Sequence, residues 1–236
     1  MIDHTMSRRD RLRAQTSAEI KAIALKLMAD GGPDAISLRA IAREMGMTAG
    51  AIYSYFATRD DLITTLIGDV YTSAVDAAEA ARDAVPETEP GGRILAWAQA
   101  MREWALANPE GFRLIYGDPV PGYRPPDGGP GSQAEARACA GLVGLVAAAW
   151  PAVQARRSGD RAYDWADFDP DLVAHVREDF PDLPPAGIAM TLRVWGRMHG
   201  LMALEIYGHL RTLIHDPADV YRDEMHDLIA SLGLTT

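Results

Sequence analysis

Two short apolar runs at helical spacing, separated by a single glycine, constrain this chain more than any other feature. In SLRAIAREM (37–45) the inward residues are Leu38, Ile41, Ala42 and Met45, with Ser37 as the expected N-cap. Gly46 then stops the helix, because a glycine reaches positive φ without a Cβ penalty. Helical spacing resumes near Thr48, and Ile52 and Phe56 point inward at i, i+4. Upstream, TSAEIKAIALKLMADGG repeats apolar residues at Ile20, Ile23, Ala24, Leu27 and Met28. Thr16 or Ser17 is the expected cap there, and Gly31-Gly32-Pro33 the stop. Residues 16–56 therefore read as a three-helix unit, and 37–56 have the dimensions of a helix-turn-helix.

The third helix carries two tyrosines that its own core cannot both use. Tyr53 and Tyr55 lie about 200° apart on a helical wheel, so they flank the stripe made by Ile52 and Phe56. In a helix-turn-helix their hydroxyls would reach the DNA backbone, and Thr48, Ala49, Gly50 and Ala51 would form the tip entering the major groove. Spacing alone also fits a core helical hairpin with edge tyrosines. Charge leans the same way as the DNA reading. Residues 1–60 hold nine basic side chains against seven acidic ones, in a chain of 236 residues with net charge −10. Four of the nine, Arg8, Arg9, Arg11 and Arg13, fall within six positions, and residues 1–15 read as a flexible basic arm able to hold phosphates.

Thr58, followed by Asp60 and Asp61, should cap a fourth helix through Leu62, Leu66 and Val70 to about Ala84. PETEPGG (86–92) is a loop, ILAWAQAMREWALANP is helical, and EGFRLIYG is a shorter helical segment. DPVPGYRPPDGGPGSQ is too rich in Pro and Gly to be anything but a loop. A small-residue helix from Ser132, a short amphipathic segment (DPDLVAHVREDFP), a long apolar helix and DPADVYRDEMHDLIASLG complete an all-α chain. The longest apolar run, 141–150, is too short to span a bilayer, no secretory leader is visible, and Cys139 is the one cysteine. The expectation is a soluble cytoplasmic protein with no membrane association.

From about Ile20 to Leu66 the chain resembles the tetracycline-repressor (TetR) family of bacterial transcription regulators. The resemblance rests on Ile41-Ala42 before Gly46, then Thr48, Gly50, Ile52-Tyr53 and Tyr55-Phe56, and a basic residue (Arg59, where the family usually has lysine) before an acid and a leucine. It implies a homodimer that binds a palindromic double-stranded operator, most often as a repressor. An N-terminal helix-turn-helix head (1–61) would be joined to a larger helical ligand-binding and dimerisation domain (62–236). Carried over by position, the DNA-contacting residues would be Ser37, Arg39, Thr48, Ala49, Gly50, Ala51, Tyr53, Ser54 and Tyr55, with Arg59 on a phosphate. No Gln, Asn, Arg or Lys lies between Thr48 and Tyr55. Arg39 is thus the candidate for reading a guanine, the alanines offer only methyl contacts, and DNA shape should carry part of the specificity.

For the second domain, the resemblance implies a small-molecule effector. The aromatic and methionine residues Trp97, Met101, Trp104, Phe112, Tyr116, Trp195, Met198 and Met202, with Cys139 and His199, would make a mostly apolar pocket. Trp195, His199 and Gly200 resemble the Trp-His-Gly signature of one C-terminal subclass. Gly196, Gly200, Leu204 and Gly208 recur at i+4 and, with Met225 and Leu228, are the expected subunit contact. An assembly domain without an effector is the alternative reading. An enzyme is disfavoured. Cys139 with His199 or His175 lacks any local sign of activation, no phosphate-cradling loop appears, and His199, His209 and His215 lack metal-ligand clustering. No cofactor is expected.

Overall fold

The computed structural model describes residues 7–126, 128–156 and 162–235. Among them are ten α-helices and no strand: α1 (Arg8–Gly31), α2 (Leu38–Glu44), α3 (Ala49–Tyr53), α4 (Arg59–Asp83), α5 (Pro90–Ala107), α6 (Pro109–Tyr116), α7 (Pro130–Arg156), α8 (Pro170–Asp179), α9 (Pro185–Ile206) and α10 (Pro217–Ser231). Six of these begin with proline, whose fixed φ and missing N–H suit the first helical position.

The basic segment is helix rather than arm. Ser7 caps α1 by accepting from the Asp10 amide at 3.2 Å, and no breaker intervenes before Gly31. Thr16 is interior to α1, its hydroxyl bonded back to the Leu12 carbonyl at 3.0 Å, so the expected cap at Thr16 or Ser17 is displaced by about two and a half turns. α2 ends as expected: Gly46 has φ 64°, and the Met47 amide reaches the Ala42 carbonyl at 2.8 Å. Thr48 caps α3 by accepting from the Ala51 amide at 3.2 Å. Thr58 and Asp61 cap α4 reciprocally, with both side chain-to-backbone bonds at 3.0 Å.

The chain divides into two compact units, and not at residue 61. One comprises residues up to Tyr71 together with Asn108–Gln133; the other comprises Thr72–Ala107 and Ala134–Thr236. In the first, Ile20, Ala24, Met28, Ile41, Ile52, Leu62, Ile63 and Leu66 form the core, joined by Phe112 from α6. The Pro/Gly-rich loop returns onto α4 in this unit, where Tyr123 and Thr64 share a hydroxyl bond at 2.9 Å. Gly68 and Pro130 are so close that a Cβ on Gly68 would stand 2.7 Å from the proline ring. α6 and the loop join this unit although they are distant from the helix-turn-helix in sequence.

In the second unit α5, α9 and α10 pack mutually around Ile94, Ala98, Met198, Met202, Tyr221 and Met225. Tyr221 donates to the Ala98 carbonyl at 3.0 Å, and Arg102 forks onto Glu205 at 2.9 and 2.8 Å. α7 is 27 residues long, with one window of mean hydropathy 1.6, so by length and composition it exceeds the short apolar run read from sequence. It is nonetheless a packing helix. Val143 lies in a buried cluster with Val176, Leu183 and Ile188, against which Cys139, Trp150, Trp165 and Phe180 pack.

Candidate nucleic-acid interface and second-unit cavity

In the first unit, Ile52 (0% exposed) and Phe56 pull α3 onto the core, and their burial turns the opposite side outward. Thr48, Ala49, Gly50 and Ser54 are exposed, Ala51 and Tyr55 half-buried, and Tyr53 is 44% exposed. Gly50 has no internal reason to be glycine. Its φ is not positive, and a Cβ there would meet nothing within 4 Å. The backbone of α3 is therefore open to close approach from outside at this position. Ser37 occupies the N-cap position of α2 without capping, which leaves its hydroxyl available. Arg39 and Arg43 are exposed one turn apart on α2. Arg43 escaped the sequence reading, although its i+4 spacing from Arg39 was the available signal.

Two arginines hold the head together. Arg59 donates to the carbonyls of Ile36 at 2.8 Å, Pro33 at 3.0 Å and Pro121 at 3.3 Å. Its guanidinium is engaged by three backbone segments, where the resemblance put it on a phosphate. Arg13 donates to the Ser54 carbonyl at 2.7 Å and lies 4.9 Å over the Tyr55 ring, joining α1 to the end of α3.

The ten residues expected to line one pocket are not brought together. Phe112 is fully buried in the first unit, where Tyr116 packs against it at a tilt (ring centres 5.1 Å apart) and meets Tyr71 edge-on. In the second unit Trp97, Trp104, Met198 and Met202 are core side chains, no more than 7% exposed. Trp104 donates to the Ser73 hydroxyl at 3.0 Å, and Trp97 fills the space over Gly141, where a Cβ would stand 2.5 Å from the ring. Met101, Cys139 and His199 are half-buried. Trp195 is 42% exposed with its ring 5.6 Å from that of His199, so it belongs to the outer face of α9.

The second unit instead has an open cleft of about 550 Å³ between α4, α5, α7 and Phe180. Its lining mixes charged side chains, Glu79, Arg82, Glu87, Arg93 and Arg137, with Pro90, Ala140, Gly141, Gly144, Leu145, Ala148 and Phe180, and Arg137 stands on α7 beside the small apolar residues. Its arginines are already paired, Arg137 with Asp76 and Glu79, Arg82 and Arg93 with Asp83.

Of the residues expected at the subunit contact, some are open and others are buried. Gly196 and Gly200 are open enough that a Cβ on either would meet nothing within 4 Å, and Leu192, Leu204 and Tyr207 on the same helix or just beyond its end are each at least 41% exposed. A second cleft, of about 690 Å³, runs from Gly200 and Leu204 to Val220 and Asp223. Gly208 lies beyond the end of α9 in a turn with φ 81°, which is why it is glycine. Met225 and Leu228 are at most 2% exposed inside this chain's own core and face no partner.

Comparison with known proteins agrees with this geometry. Residues 20–66 match the model of bacterial regulatory proteins of the tetR family, and residues 94–228 match that of the tetracyclin repressor-like C-terminal domain. The chain belongs to the TetR family. It is similar over nearly its whole length to HTH-type transcriptional regulator Rv1816 of Mycobacterium tuberculosis H37Rv, at 32% identity over 96% of this chain and 95% of that one. A crystal structure of a regulatory protein, SCO4313, is 34% identical and superposes with a TM-score of 0.72 over 95% of this chain and all of that one. A tetR-family regulatory protein from Rhodococcus RHA1 shares the fold at 18% identity, with a TM-score of 0.62 over 93% of this chain and 98% of that one.

TetR-family proteins are transcription regulators that bind DNA, not enzymes. Burial, and secondarily Glu135, pushes the Cys139 thiol above its ordinary value, and burial pushes His199 below its own, so the thiolate and imidazolium forms are both disfavoured. Among the described residues no three of His, Cys, Asp and Glu gather as a metal site.

Proposed function

We propose that this protein is a cytoplasmic, homodimeric repressor that binds a palindromic operator and is released by a small effector. The observation that carries the DNA reading is α3: an exposed tip of Thr48, Ala49 and Gly50, with Ala51 half-buried behind it, on a helix anchored by Ile52 and Phe56. Arg39 is the base-reading side chain, and Ser37, Tyr53 and Tyr55 are backbone contacts. The second copy docks on the outer face of α9 around Gly196, Gly200 and Leu204, where two helices can approach closely. Because a two-fold operator needs two heads, dimerisation and DNA affinity are linked.

The effector site is the cleft lined by Arg82, Arg93, Arg137, Gly144, Leu145 and Phe180 rather than the tryptophan-methionine core. Its volume falls in the range of small-molecule sites. Its mixture of charged and apolar lining residues favours an amphipathic compound whose polar head competes with the existing ion pairs, in place of the purely apolar molecule expected from sequence. A selection of duplexes from a random-sequence pool, followed by footprinting, tests the DNA reading. Enrichment of an inverted repeat supports it, and failure to enrich any sequence overturns it.

A further inference from the structure

We infer that the first two turns of α1 are a second DNA-contacting element, in which Arg8 and Arg9 hold phosphates flanking the half-site read by α3. The inference rests on the reading of α3 given above. Residues 7–15 are exposed, Leu12 at 63%, so this extension of α1 buries nothing that would justify its being helical. Its charges oppose its own geometry. Arg8 and Arg9 stand in the first turn of α1, at the positive end of the helix dipole, where cations are unfavourable and anions favourable. Among the described residues neither makes an ion pair, and the nearby Asp10 carboxylate is held by the Ser7 hydroxyl at 2.7 Å. An external polyanion resolves the conflict.

Position identifies which one. Arg13 ties this end of α1 to the last carbonyls of α3 through Ser54, and Tyr55 lies beneath its guanidinium. Arg9 precedes Arg13 by one turn on the same face, about 6 Å further along. A duplex seated on α3 therefore continues past Arg13 toward Arg9 and Arg8, outside the bases that the tip contacts. As a rigid helix this element fixes the distance between flank and half-site, which a flexible arm would not.

The test uses the full-length protein and a duplex enriched by it from a random-sequence pool, in long form and trimmed at both ends. Fluorescence anisotropy should show the Arg8→Ala/Arg9→Ala variant binding the long duplex with a salt slope flatter by about 3.6 for a dimer, or about 1.8 for each subunit, so a rise from about 50 to 200 mM salt weakens it about 150-fold less. On the trimmed duplex the variant and the unaltered protein should match, and Arg8→Lys/Arg9→Lys should retain the long-duplex slope. Circular dichroism establishes that the variant keeps its helix. An unchanged slope on the long duplex, or an equal loss on both, overturns the inference. Gly50→Leu keeps the two readings apart. If it binds the long duplex as well as the unaltered protein does, the assignment of α3 itself fails, whatever Arg8 and Arg9 do.

Discussion

Arg59 illustrates how a side chain's role is set by what lies near it in space. By its place in the family pattern it would be a free cation; its three carbonyl partners belong to Pro33, Ile36 and Pro121. Charged hydrogen bonds to partly buried carbonyls contribute more than exposed ion pairs, so Arg59→Ala should destabilise the head by about 2–3 kcal/mol. Thermal unfolding should show the loss, while the salt slope of DNA binding stays nearly unchanged; a slope flatter by about one would restore the phosphate role. Tyr53 and Arg39 are exposed and remain the proposed DNA contacts. Tyr53→Phe should weaken binding by about 1 kcal/mol uniformly across operator variants. Arg39→Ala should relax discrimination at one base pair per half-site, by about 1–3 kcal/mol. Gel shifts over a panel of operator variants distinguish the two patterns, and a uniform loss for Arg39→Ala would remove it from base reading.

At the level of the element, caps and breakers are the readable signals. Gly46, Thr48 and Thr58 delimit α2, α3 and α4 where their local chemistry demands, because each cap is satisfied within three to five residues. The start of α1 departs from expectation for the converse reason: Thr16 and Ser17 are acceptable caps, but an uninterrupted run of helix formers lets Ser7 do the capping instead. On α9, Gly200 stands open on the exposed face, so Gly200→Leu should leave the fold intact or raise its stability by up to about 1 kcal/mol through helix propensity. The same side chain should block close helix approach and shift the protein toward monomer. Sedimentation with a parallel melting curve decides it; a stable dimer of unchanged size would place the subunit contact elsewhere.

For the molecule as a whole, regulation requires that ligand binding and DNA binding be coupled. α4 runs from the reading head, capped at Thr58, into the second unit, where Glu79 and Arg82 line the cleft. In the proposed homodimer, an effector that prefers the state unable to bind the operator by about 3 kcal/mol lowers DNA affinity about 150-fold. Ala148 lines the cleft from an exposed position. Ala148→Trp should fill the cleft without disturbing the core, abolishing effector release while operator affinity is retained. A thermal-shift compound screen followed by DNA-release assays reads this out, and unaltered ligand sensitivity would move the site away from the cleft. Met202→Trp, by contrast, should destabilise the second unit by about 1–3 kcal/mol, read as a lower melting temperature, since Met202 is 3% exposed in its core.

Periodicity, caps and breakers act within a few residues, so the all-helical class, the helix-turn-helix and the outward side of its third helix were legible in the chain before folding. Ile52 and Phe56 had to face in, and that left Tyr53 and the tip to face out. Pairings between distant segments are invisible to those signals. Folding was needed to show that α6 and the loop at 118–129 belong with the head, that Arg59 and Arg13 are fasteners, and that Trp97, Trp104, Met198 and Met202 are filled core. A tryptophan on an apolar helix face reads the same whether it lines a void or closes one. The difference lies in a neighbour such as Gly141, about forty residues beyond Trp97 in the chain, whose missing side chain the indole fills.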